Sequence, residues 1–300
     1  MLDRESTFAH PQIVSLLKTK FVPVALDQAY QRRQKDAEGD YYRKLAGQGP
    51  RGDFRGTTQG FYVGTAGGKL LFYNNNRDPE KLLRLLQQSL KQFADLKAAE
   101  ADVAAIDPGK SDVQYNPTPP EGGLVVRVRA KVLSGYEATE DRWQKIFQNA
   151  ISRDNLWVSA DEHQALCQGN VPRSLQMRIA KYHLVDNTRG EPPMWRDAEV
   201  RDVSMKLEDG LLTGQAHLET ADGKRGFQVA LRGHVVCKSD SLVRLDVIAK
   251  GEYWGEGQYT RNAPPGKFPL AVSFTLADGT DVADRIPPQG SRGWVRGYLR

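Results

Sequence analysis

The chain has 300 residues, of which 39% are hydrophobic and 26% charged, with 42 Lys and Arg against 37 Asp and Glu for a net charge of +5. That length exceeds the usual single-domain size of about 100 to 150 residues, so two domains are expected, each burying its own core. The composition argues against wholesale disorder, and basic residues mixed with acidic ones along the chain disfavour nucleic acid as a partner, since phosphate binding calls for a clustered basic face.

Near the start, Pro11 suits a first helical turn and Ile13, Val14, Leu16 and Leu17 form an apolar stripe at helical spacing. The apolar run "FVPVALD" (21–27) then predicts a buried strand, with Pro23 favouring an edge or a locally unpaired position. Residues 28–49 are helix-compatible, broken softly at Gly39 and stopped by Gly47 and Gly49. The aromatic and β-branched runs 61–63 and 70–73 flank a turn with Gly67 and Gly68 and predict an antiparallel hairpin. A helix follows, with Asp78 placed to cap, Pro79 at the first position, and Leu82, Leu83, Leu86, Leu90 and Phe93 on one face.

This order of elements, with "ESTFAHPQIV" as the helix, "FVPVALD" as the strand and an aromatic strand, Gly turn, strand and terminal helix afterwards, resembles the thioredoxin-like superfamily over residues 3–97. The resemblance implies a CxxC just upstream of "LDREST" and a cis-proline near "TTQGF". The chain has neither, and Thr58, Gln59 and Gly60 stand where the proline is expected. A dithiol exchange needs a thiolate of lowered pKa with a resolving partner beside it. The domain is therefore expected to be redox-inactive, unless the cysteines, and with them an export signal, lie in a segment upstream of Met1.

Residues 98–123 turn small, polar and proline-rich and are expected to be a semi-rigid linker. Beyond it, residues 124–300 predict a helix-decorated antiparallel β domain. "LVVRVRAKVL" alternates Val126, Val128, Ala130 and Val132 against Arg127, Arg129 and Lys131, the pattern of a half-buried strand whose cations face solvent. Three helical stretches follow: one presenting Trp143, Ile146 and Phe147, one with a capping-box spacing from Ser159 to Glu162, and one starting at Pro172 and burying Leu175, Ile179 and Tyr182. Strand patterns then recur at 199–207, 211–220, 225–236, 241–255 and 268–277, with a further candidate at 293–300. Short turns join them, so a meander closing into a barrel or strongly curved sheet is expected. The fold class is α+β: a thioredoxin-like domain followed by an antiparallel β-barrel-like domain with packed helices.

Chemistry is sparsely signalled. Cys167 and Cys237 lie seventy residues apart and supply neither a CxxC nor a zinc set; buried, inert thiols are expected, with a long-range disulfide as the alternative in an exported protein. The five histidines show no i, i+4 metal pair, and His217 is expected to be a hydrogen-bonded core residue if it faces inward. No nucleophile elbow, phosphate loop or dinucleotide fingerprint occurs, and neither metal nor cofactor is expected. The "RGD" at 51–53 reads as loop.

Two stretches mix carboxylates, aromatics and glycine at the ends of regular elements. They offer Arg189, Glu191, Trp195, Glu252, Trp254 and Glu256 as candidate ligand-binding groups, with the glutamates as acid and base, Arg189 orienting an anion and a tryptophan stacking on a flat ligand. The competing expectation is that the tryptophans seal the barrel and the charges pair across loops. No apolar run approaches the roughly 18 residues that span a bilayer, and "MLDREST" is not a signal peptide, so a soluble, cytoplasmic chain is expected, exported if an N-terminal segment is missing. The leading expectation is a non-catalytic protein that binds a polypeptide or small molecule. The alternatives are a thiol-disulfide oxidoreductase with an upstream CxxC and a small-molecule enzyme using loops of the second domain.

Overall fold

The computed structural model describes residues 6–97, 107, 109–292 and 295–300. The chain divides at residues 117/118 into two units, a boundary inside the proline-rich stretch.

In the first unit, α1 (Pro11–Lys20) begins on its proline, and α2 (Gln28–Gln31) and α3 (Ala37–Ala46) are each capped by the preceding aspartate, Asp27 and Asp36. The break in the 28–49 stretch falls between these two helices rather than at Gly39. Gly39 lies inside α3, where a Cβ would sit 2.1 Å from the Gln34 carbonyl oxygen, so the position needs glycine. Strands β1 (Phe61–Gly64) and β2 (Leu70–Asn74) form the antiparallel hairpin, with Gly68 at positive φ in its turn. Helix α4 (Pro79–Ala94) has the expected cap, the Lys81 amide donating to Asp78 at 2.6 Å. Ile13, Leu82 and Leu86 make its core, with Leu16, Phe61 and Phe72 packed around them.

Two further expectations for this unit need correction. Residues 21–27 are extended but form no strand: no strand lies beside them among the described residues, and Val22 (90% exposed), Val24 and Leu26 all face solvent. Phe93 is exposed and Ser89 is buried in its place, satisfied by donating to the Leu86 carbonyl, so the apolar stripe of α4 fades before its last turn. Part of the proline-rich stretch is held by side-chain hydrogen bonds. Asp112 accepts from the Lys35 amide while its own amide donates to Asp36, which ties that part of the stretch to the start of α3. Residues 98–106 lie outside the described residues.

The second unit contains β3 (Leu124–Val132), α5 (Arg142–Asn149), β4 (Asp154–Val158), α6 (Ala160–Cys167) and α7 (Arg173–Arg178), which widens into a π turn (Ile179–His183). The meander β5 (Val200–Glu208), β6 (Leu211–Glu219), β7 (Gly226–Lys238), β8 (Ser241–Trp254) and β9 (Lys267–Leu276) follows, and a short α8 (Val295–Tyr298) ends the unit. All seven strands form one antiparallel sheet in the order β4-β3-β9-β8-β7-β6-β5, curled into an open half-barrel. Positive φ at Asp209–Gly210 and at Ser239–Asp240 gives the two tight hairpin turns the twist that flanking strands need. Inward residues such as Val126, Val128, Leu231, Val247 and Phe274 are buried, as are Leu166 and Leu175 of α6 and α7, in one continuous core.

Strand β4 went unread in the sequence. Its "DNLWV" is only five residues long, begins with two polar groups and is buried on both faces, so it shows no alternation. The stretch 293–300, expected as a strand, contains α8 instead; residues 293 and 294 lie outside the described residues. Helix α5 buries none of its residues, and Trp143 lies at the surface beneath Arg142.

Candidate functional site

The six candidate ligand-binding residues divide between the interior and the outer surface. Arg189 is enclosed: its side chain and that of Asp186 are each 1% exposed, and Nη2 lies 2.6 Å from Oδ2 of Asp186. Its other nitrogens donate to the Tyr136 hydroxyl at 3.0 Å and the Thr260 carbonyl at 3.3 Å. Burial alone would favour the neutral form of Arg189, but Asp186 and Tyr136 outweigh it and hold the guanidinium charged. Trp195 is also interior. Its Nε1 donates to the Leu184 carbonyl at 2.8 Å, and the Arg225 guanidinium stacks 3.8 Å above the ring centroid. Beneath these, burial pushes the Tyr253 hydroxyl up to about 12.

Strand alternation sends the remaining residues elsewhere. Tyr253 points inward on β8, so Glu252 and Trp254 face outward. Trp254 lies over Gly226, where a Cβ would come within 2.1 Å of the indole; its Nε1 donates to the Gly223 carbonyl, and Lys267 sits over its outer side. Glu252 faces Lys267 at 3.8 Å, Glu191 pairs with Arg292, and the exposed Glu256 accepts from the Ala263 amide at 3.2 Å. Trp195 thus seals the interior, while Trp254 braces the outside of a hairpin end. His217 also points outward, half-exposed and 3.5 Å from Glu219, and is not a core residue.

A buried set of titratable groups lies around His183, away from the six candidates. His183, at the end of the π turn, places Nε2 2.7 Å from the Tyr298 hydroxyl. Its Nδ1 faces Asp154 Oδ2 at 3.3 Å, within ion-pair distance but not aligned as a hydrogen bond. Beside it, Arg178 donates to the Tyr298 carbonyl at 2.6 Å and to Glu162 at 2.5 Å, with its guanidinium 5.3 Å from the Tyr298 ring centroid. Glu162 also accepts from the Ser174 hydroxyl and the Ser159 amide, so the capping box visible in the sequence is also half of an interior ion pair. Burial drives the Tyr298 hydroxyl far above its ordinary value, so it does not ionise near neutrality.

An acid, an imidazole and a hydroxyl in line suggest proton relay, but these three are enclosed, with His183 and Asp154 side chains 0% and 7% exposed. Between the sheet and α6–α7 lies an apolar void of about 30 Å³, lined by Val126, Leu156, Leu175, Leu231 and Phe274 among others. The arrangement anchors α8 to α7 and β4. Tyr298→Phe should therefore lower stability by about 1–2 kcal/mol in urea unfolding, through the imidazole partner it orphans.

Sulfur is the largest departure from expectation. Cys167 and Cys237 are joined in a disulfide with Cα atoms 5.4 Å apart. Cys167 closes α6, and Cys237, near the end of β7, stays in phase with the inward residues Leu231 and Val235 and so faces that helix. Both residues are half-buried.

In the first unit, the positions where the resemblance places a cis-proline are taken up by local structure. Thr58 is fully buried with its hydroxyl 2.5 Å from that of Tyr42, the Gln59 carbonyl accepts from Tyr73, and Gly60 lies against the Tyr73 ring. Among the described residues no group of three or more His, Cys, Asp or Glu is poised to hold a metal, and no helix is long and apolar enough to cross a membrane. No family model, curated protein or solved structure matches the chain.

Proposed function

We propose that this is a non-catalytic binding protein, made of a redox-inactive, thioredoxin-like first unit and a half-barrel second unit that meets its partner on an outer surface. The observation that carries this reading is that the second unit's titratable groups Asp154, His183, Tyr298, Arg178 and Glu162 are enclosed and face one another. Support for the thioredoxin-like assignment is the helix, hairpin and terminal amphipathic helix, α1, β1–β2 and α4, sharing one small core.

The disulfide does not make the protein an oxidoreductase. A reactive thiolate is favoured at a helix N-terminus, whereas Cys167 is the last residue of α6, where the helix dipole opposes negative charge. The bridge instead favours a working environment that is oxidising, outside the reducing cytosol, and this replaces the cytoplasmic expectation in our reading. In an insulin-reduction assay with dithiothreitol, the protein should leave the turbidity onset at the uncatalysed rate. Acceleration that survives in Cys167→Ala/Cys237→Ala would point to chemistry elsewhere, and acceleration lost in that variant would make the bridge catalytic; either result overturns the reading.

A further inference from the structure

The outer face of the half-barrel carries charge in bands that run across the strands. Register aligns Lys206 of β5 with Thr213, Arg232 of β7, Ile248, Ser273 and Arg129 of β3 in one cross-strand row. The adjacent row runs from Ser204 through Gln215 and Ala230 to Lys250 of β8, then Ala271 and Lys131 of β3. Five cations thus lie in two neighbouring rows, and no carboxylate falls in either. Lys206, Arg232, Arg129 and Lys250 are exposed and Lys131 is half-buried. None of the five has a salt bridge among the described residues, whereas Arg127, one strand position away, is held between Asp278 and Asp284.

The rows on either side carry acids on β5 and β8: Asp202 and Glu252 in one, Glu208 and Asp246 in the other, which also holds His234 and Arg127. Along β5 and β8 an anionic chain would therefore meet like charge at both ends, while one lying across the strands would meet cations from β5 to β3. Six strands at about 4.8 Å spacing make this track about 24 Å long.

We infer that this basic track is a docking surface for a linear acidic polysaccharide, a chain of sulfate or carboxylate groups separated by hydroxyls. Charge complementarity selects a polyanion, and the short polar side chains Thr213, Ser273 and Gln215 between the cations offer partners for sugar hydroxyls. The track has no aromatic side chain on which a base could stack, and a wide convex sheet does not enter a duplex groove, which admits a helix or a two-stranded ribbon. Against a bilayer, only Ile248 is available to insert. The inference rests on the surface-binding reading above, and the two are tested separately, since insulin reduction does not involve this face.

The test is binding of heparin and of polygalacturonate to the full chain at about 0.15 M NaCl, alongside single-stranded oligothymidylate and phosphatidylglycerol vesicles. The expected result is that at least one polysaccharide binds about tenfold or more tightly than the oligonucleotide or the vesicles, with an affinity that falls steeply with salt. Lys206→Glu/Arg232→Glu/Lys250→Glu should weaken it by about a hundredfold at unchanged melting temperature, as expected for exposed positions. Lys18→Glu/Lys20→Glu/Lys91→Glu changes net charge equally at exposed sites of the first unit and should weaken it much less. Equal loss in the two triple variants, no binding of either polysaccharide, or tighter binding of the oligonucleotide or vesicles would overturn the inference.

Discussion

Replacing Arg178 by alanine is expected to lower the unfolding free energy by about 3–5 kcal/mol, because it leaves the Glu162 carboxylate buried without its counter-charge. The side chains of Arg178 and Glu162 are 2% and 6% exposed, so solvent does not compensate. The same substitution removes the donor to the Tyr298 carbonyl and the cation over the Tyr298 ring, freeing α8. The effect depends on pH in a definite direction. Burial raises the Glu162 pKa, but the Arg178 contacts together with Ser174 and Ser159 outweigh it and hold the carboxyl below its ordinary 4.5. A depressed carboxylate contributes stability above its unfolded pKa and loses it as pH falls through the folded one. Without Arg178, burial raises the carboxyl, and protonation then relieves the orphaned charge. Urea unfolding of wild type and variant should therefore show the largest gap near neutrality and a gap that shrinks as pH falls toward 4.5, while the variant's raised carboxyl takes up its proton, and further below 4.5, where wild type loses its depressed carboxylate; a gap constant with pH would contradict the ion-pair account.

Removing the disulfide should have an effect of similar size by a different route. Cys167 and Cys237 are 70 residues apart, and a loop of that length loses enough unfolded-chain entropy on closure to stabilise the fold by about 4 kcal/mol. Cys167→Ala/Cys237→Ala should lower the melting temperature of the second unit by roughly 10 °C in scanning calorimetry. Dithiothreitol should shift wild type toward the variant and leave the variant unchanged. Wild type and variant melting together would show that the bridge does not restrain the chain.

How much of this was legible in the sequence varied with the range of the interaction that decides each element. The cap at Asp78, the hairpin turn at Gly68, the alternation of β3 and the strands of the meander depend on neighbours within a few residues, and these were readable. Strand β4 was not, since burial on both faces erases periodicity, and its partner β3 is joined to it through α5. The 21–27 run looks like a strand by composition, yet a strand needs a neighbour to pair with, and none lies beside it among the described residues. Site residues fared worse. Arg189 and Trp195 carried the residue types of a binding site, but whether an arginine meets a ligand or an aspartate three residues away is decided by folding. His183 and Tyr298 are 115 residues apart, and the two cysteines meet only once α6 docks on β7.

The run at 22–26 has no regular secondary structure, makes no backbone hydrogen bond among the described residues and exposes Val22, Val24 and Leu26. Amides and carbonyls left open in this way are a template on which a second extended chain can zip, the usual first step of edge-to-edge self-association at high concentration. Pro23 interrupts that template by withholding one donor near its start, so a single imino acid acts as gatekeeper for this exposed apolar run.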